Sequence, residues 1–188
     1  MSKFMLIALF AAAHTGIFAT SPIESPVHIS TSNKWVIVDK SNWKIPKLDV
    51  SILKSDGTFL INEKIKVSKK YNLKDVPDGS YSLEIEDDQL IRIQSLEISG
   101  DRLFSTGVKT IYKPMILVKA NLIDMNMMTQ GEPAWITMRD NESNTVFTEK
   151  ITQEVSVSRR FNLNQLPEGN YLLDVELSGK HFTRNFTK

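Results

Sequence analysis

Residues Tyr71–Glu86 read YNLKDVPDGSYSLEIE, and Phe161–Glu176, 90 positions later, read FNLNQLPEGNYLLDVE. Seven of the sixteen paired positions are identical, and most of the others are conservative, so one unit occurs twice. Within each copy the apolar side chains alternate with polar ones: Tyr81, Leu83 and Ile85 against Ser82, Glu84 and Glu86, then Tyr171, Leu173, Val175 and Leu177 against Leu172, Asp174 and Glu176. A period of two gives one buried face and one wet face, the pattern of a half-buried strand. Just upstream, Val76-Pro77-Asp78-Gly79 and Leu166-Pro167-Glu168-Gly169 put proline and glycine in the order of a turn. Two residues after each glycine stands Tyr81 or Tyr171. In immunoglobulin-like sandwiches a tyrosine at this corner bonds its hydroxyl back to the upstream backbone, and the residue two places on faces the core. The expected structural set is therefore Leu73, Pro77, Gly79 and Tyr81, repeated as Leu163, Pro167, Gly169 and Tyr171.

A second matched block, Leu48–Ile65 against Ala134–Ile151, aligns without gaps at an offset of 86. The copies thus differ by four residues between the blocks, the mark of a longer loop or strand end in copy two. Val50 and Ile52 match Ile136 and Met138, while Ile65 and Val67 are set beside the alternating Val155 and Val157. Asp56-Gly57 is a hairpin signal, whose counterpart near Ser143 and Asn144 lacks the glycine. No window of comparable length reads as an amphipathic helix. Short strands separated by turns predict an all-β fold: two tandem immunoglobulin-like antiparallel β-sandwich domains. The division expected is a leader over 1–19, a flexible segment over 20–33, copy one over 34–98, a linker with a possible short strand over 99–113, and copy two over 114–188. The strands expected lie near 35–39, 47–54, 58–62, 64–73, 80–86 and 90–98, then near 115–126, 134–140, 144–150, 154–163, 170–177 and 181–187.

The leader is read from Lys3, the apolar run Phe4–Ala13, and small residues through Ala19 and Thr20, with cleavage expected near Ala19. The run is shorter than a membrane-spanning helix needs. Cysteine is absent, which leaves no disulfides and points to a bacterial exported protein. Lys and Arg number 23 and Asp and Glu 22, so no long-range field recruits nucleic acid.

With leader, length and paired Leu-Pro-Gly-Tyr motif on view, the chain resembles small uncharacterised secreted proteins of Bacteroidota, particularly flavobacteria, built as a leader plus two immunoglobulin-like copies. Lys113-Pro114 at the start of copy two fits the same group. The resemblance implies a fold and carries no activity. Copy two is also similar to the C-terminal sorting domains of the type IX secretion system, in Gly169-Asn170-Tyr171 and in the ending Gly179-Lys180 to Lys188. Sorting domains usually trail a larger cargo, whereas here another copy precedes. The alternative is that His181–Thr187 is the last amphipathic strand, with Phe182 and Phe186 on its buried face.

Chemistry is sparse. The histidines are His14, His28 and His181, and no clustering offers a metal site. No nucleophile-elbow motif is present. Glu84, Glu86, Asp87 and Asp88 are expected on a solvated strand face running into a turn, and Asp140-Asn141-Glu142 in a polar hairpin. Two basic doublets recur, Lys69-Lys70 and Arg159-Arg160; they offer either a pair of anion contacts one repeat apart or a charged strand face that discourages edge pairing. Met115, Met125, Met127, Met128 and Met138 are read mainly as core or interdomain packing, and Trp43 as the best exposed aromatic among Trp35, Trp43 and Trp135. Asn141-Glu142-Ser143 and Asn185-Phe186-Thr187 match the N-glycosylation pattern, which matters in a eukaryotic source. The expectation is a non-catalytic exported structural or binding protein without cofactor, located in the periplasm, on the cell surface or outside. Its partners would be an envelope protein or polysaccharide, and the alternative is a secretion role for copy two.

Overall fold

The computed structural model describes residues 27–188, so the expected leader and residues 20–26 lie outside the described residues. The strands are β1 Val27–Ser30, β2 Trp35–Val38, β3 Leu48–Lys54, β4 Phe59–Ile65, β5 Lys69–Asn72, β6 Gly79–Glu86, β7 Leu90–Ser99 and β8 Arg102–Tyr112. Copy two follows with β9 Met115–Lys119, β10 Leu122–Met128, β11 Ala134–Asp140, β12 Thr145–Ile151, β13 Ser156–Asn162, β14 Asn170–Leu177 and β15 Lys180–Thr187. The described residues contain two short 3-10 turns and no α-helix.

Four antiparallel sheets form two sandwiches. In the first, β1-β2-β5 faces β4-β3-β6-β7-β8; in the second, β13-β10-β9 faces β12-β11-β14-β15. Apart from β8, strand order is the same in both, with β1 to β7 answering β9 to β15. Each sandwich encloses its own core. Val36, Val50, Ile52, Leu83 and Ile85 centre the first, and Ile123, Met125, Ile136, Leu173 and Val175 the second, all at most 1% exposed. The alternation read from Tyr81 and Tyr171 onward is therefore the inward face of β6 and β14.

The tyrosine corners form in both copies. The hydroxyl of Tyr81 donates to the Pro77 carbonyl at 2.8 Å, and that of Tyr171 to the Pro167 carbonyl at 2.9 Å. The hydrogen-bonded turn lies slightly earlier than Pro-Gly suggests, closed by the Val76 and Leu166 amides on the Leu73 and Leu163 carbonyls. Asn72 and Asn162 stabilise it by accepting the amides of Lys74 and Asn164, which accounts for the identical Asn in the motif. Leu73 and Leu163 are buried, anchoring the corner to the core.

Several boundaries differ from expectation. Residues 99–113 are no linker: Arg102–Tyr112 is β8, paired along its length with β7. The segment expected to be flexible over 20–33 contributes β1, whose Val27 is buried in the first core. The strand expected over 115–126 is a hairpin that reverses at Ala120, where φ is 43°. Val67 and Val155 are exposed, at 72% and 65%, and the buried members of that set are Ile65 and Val157. The four-residue length difference falls between β12 and β13, and β13 absorbs three of those residues as added strand paired with β10.

The β3–β4 and β11–β12 hairpins share one geometry with different residues. Gly57 has φ 83° in the first, and Ser143 has φ 67° in the second. Asp140 compensates by accepting the side-chain amide of Asn144 and the backbone amides of Asn144 and Glu142, hydrogen bonds that hold its carboxyl below the usual range. Ser143→Gly removes the left-handed strain and should stabilise the fold by about 1 kcal/mol, seen as a higher urea midpoint at constant slope. Tyr81→Phe and Tyr171→Phe should each cost about 1–2 kcal/mol by the same measurement, because each strands a carbonyl that the corner satisfies.

Candidate functional site: the junction of the sandwiches

The two cores meet through β7 and β8. On β7, Leu96 and Ile98 point into the first core, whereas Ile91 is buried in the second and Ile93 packs against it. The apolar residues thus change parity within one strand, so its two halves bury opposite faces. β8 follows by a bulge: Ser95 pairs with Gly107 and Leu96 with Ser105, leaving one extra residue. As a result Leu103 enters the first core and Ile111 the second, although they share parity. Gln94, only 6% exposed, sits at the crossing and donates to the Ser105 hydroxyl at 2.8 Å.

Polar contacts surround this apolar joint. Lys180, at the start of β15, donates to both oxygens of Glu84 on β6, at 2.9 and 2.7 Å. The β14–β15 turn at Ser178 and Gly179 has both φ values positive, the requirement of a tight two-residue hairpin, and it presents Lys180 to the first sandwich. The β10–β11 loop adds Gln130, whose side-chain amide donates to the Thr110 carbonyl at 2.9 Å, and Glu132, paired with Lys109 at 3.3 Å. Thr129, buried at its base, donates its hydroxyl to the Glu154 carbonyl. Beside these contacts lies a cleft of about 410 Å³ lined by Val108, Ile111, Tyr112, Met128 and Leu177 among others. Glu84 and Glu86 are therefore not a free wet face: the first ties the copies together, and the second pairs with Lys113 at 2.6 Å.

The basic doublets lie at equivalent places on β5 and β13. Lys69 pairs with Glu63 at 2.6 Å, and Arg159 with Glu149 at 2.8 Å and Glu154 at 3.2 Å. Both pairs join the edge strand of one sheet to the edge strand of the other, on the same open side of each sandwich. The hydrogen bond that Lys69 donates lowers the Glu63 carboxyl, and the bonds that Arg159 donates to Glu149 raise its guanidinium. Lys70 lies 3.5 Å from the Trp35 ring centroid, and Arg160 bonds Asp124 at 2.6 Å, depressing that carboxyl. Each cation has an internal partner, which reduces what it presents to an outside anion.

The methionines divide: Met125, Met127 and Met138 are core, while Met115 and Met128 are exposed. Trp43 is no open platform; it packs against the first core with its indole nitrogen buried. Phe186 is buried and stacks on Tyr171 at 5.4 Å, as an inward face of β15 requires. The junction was missed at sequence level, although the parity change between Ile91-Ile93 and Leu96-Ile98 was there to be read. Among the described residues, no helix is long and apolar enough to cross a membrane.

If the junction is packed as described, calorimetry of the intact protein gives one unfolding transition. Ile111→Ala should cost about 2–4 kcal/mol and split that transition into two. Two transitions already present in the wild type, with neither moved by the substitution, would contradict a shared joint.

No protein-family model matches the chain, and no curated protein matches it. Among solved structures, a DUF3244 family protein with an immunoglobulin-like β-sandwich fold from Bacteroides vulgatus is similar at 18% identity and a TM-score of 0.37, covering 40% of this chain and 82% of its own. The BSP domain of a biofilm associated protein aligns over 85% of this chain at 16% identity and a TM-score of 0.28, and this chain spans 28% of that one. The chicken interferon gamma receptor alpha chain aligns over 86% of this chain and 95% of its own, at 11% identity and a TM-score of 0.28. These are likenesses at low identity and low superposition, and the sandwich assignment rests on the strand order and paired cores of the chain itself.

Proposed function

We propose that the chain is a non-catalytic exported protein that serves as a structural or binding module at the cell envelope or outside the cell. The observation that carries this reading is the junction: two copies of one scaffold are joined by a shared hairpin and an ion pair, which favours a fixed spacing between their outer surfaces. Paired domains connected by a slack linker reorient freely, whereas a buried apolar joint restricts them. A fixed spacing suits a spacer, or a binder whose two copies engage one extended partner together. An envelope protein or a polysaccharide meets that description, and the near-zero net charge argues against nucleic acid.

Export is supported by Lys3 and the apolar run that follows. In producing cells the protein is expected in the periplasm, on the surface or in the medium, with its N-terminus near residue 20. Fractionation followed by intact-mass measurement checks this. Recovery of the uncleaved chain from the cytosol would overturn the reading.

A further inference from the structure

The outward face of the β13-β10-β9 sheet holds large apolar side chains in water. Met115 is 63% exposed, and Leu117 and Met128 are each 44% exposed. On the adjoining β8, Val108 and Tyr112 continue the strip. Three hollows of about 410, 380 and 350 Å³ run along it. The first shares Tyr112 and Met128 with the second, and the second shares Asn126 and Ser158 with the third, so they form one trough from the junction to Leu117. Its middle exists because β10 and β13 are longer than β2 and β5, with Asn126 paired to Ser158 and Met128 to Ser156 in the added rows. The shorter face of the first sandwich has no such strip, and its Trp35 is covered by Lys70. Apolar strips rimmed by polar groups mark association surfaces, and methionine adapts its shape to what docks there.

The charges say what docks. At the junction end stands the exposed pair Lys109–Glu132, and at the far end Arg160–Asp124. Each end carries one such cation–anion pair, and the other cations lining the trough, Lys113 and Arg159, are already paired with Glu86 and with Glu149 and Glu154. Turned over by a two-fold axis near Met128 and Asn126, the trough meets its own image end for end. Lys109 then faces the partner's Asp124, and Glu132 the partner's Arg160. We propose that this trough is an isologous interface occupied by the same trough of a second copy of the chain. Apolar contact at Met115, Tyr112 and Met128 supplies the attraction, and the two mixed-charge ends fix the antiparallel orientation.

Sedimentation equilibrium of the mature protein, from micromolar to millimolar concentration, tests this. The wild type forms a dimer and no larger species. Met128→Lys raises the dissociation constant about tenfold or more while leaving the melting temperature unchanged, since that side chain is already in water. Lys109→Asp and Asp124→Lys each weaken self-association, because each puts like charges opposite one another at both ends of the dimer. An equimolar mixture of the two restores dimers, each interface now reading aspartate against lysine. A wild type that stays monomeric throughout, which would assign the trough to another partner, overturns the proposal. So does a dimer indifferent to Met128→Lys, or a mixture of the charge variants that fails to reassociate.

Discussion

The architecture depends on one hairpin being buried on opposite faces along its length. β7 gives Leu96 and Ile98 to the first core and Ile91 to the second, and no straight strand of uniform parity does both. The bulge in β8 lets its partner make the same change of side. Without the extra residue, Leu103 and Ile111 would face the same core, and one would be exposed. A one-residue irregularity thus sets whether the copies are packed together or merely strung together. The polar residues at the crossing, Gln94 and Ser105, bond each other where neither core supplies apolar cover.

Duplication kept some interactions and released others. The ion pair across the open side of each sandwich is retained, with Glu63 and Glu149 related by the offset of 86 and Lys69 and Arg159 by 90. Because the four-residue difference lies between the partners, the pair survived a change in the very connection it spans. The tyrosine corner was also retained, down to the proline carbonyl that accepts its hydroxyl. What diverged is the strand inventory: the first copy gained β8, and the second lengthened β10 and β13. Both changes fall beside the junction, one supplying the joint and the other the exposed apolar strip next to it.

Much of this was legible in the sequence. Alternation in Tyr81–Ile85 and Tyr171–Leu177 gave the inward faces, and the glycine-to-tyrosine spacing gave the corners, because both follow from local backbone geometry. The hairpin inside 115–126 was hidden because Ala120 adopts a left-handed φ that its side chain does not advertise. β8 was hidden because RLFSTGVKTIY has no clean alternation: a strand interrupted by a bulge and buried in two places shows neither period in full. The doublets looked available because their partners, Glu63, Glu149 and Asp124, come from other strands. Cross-strand pairing is a tertiary fact that spacing along the chain does not encode.

The same reasoning explains why the most telling surface is not the most charged one. A strand face crowded with Lys and Arg is a common defence against edge pairing, and here those cations are further neutralised by neighbouring carboxylates. An exposed methionine or leucine on a sheet has no such structural duty, since burial is where its side chain contributes stability. Met115, Leu117 and Met128 do not sit in water because the core is full of misfits; Met125 and Met127 on β10 show that the alternation is intact. Among the outward positions of β9 and β10, Met115, Leu117, Leu122 and Met128 are apolar where a solvated face would take polar residues. That departure from the pattern governing the rest of the chain gives the trough its claim to function.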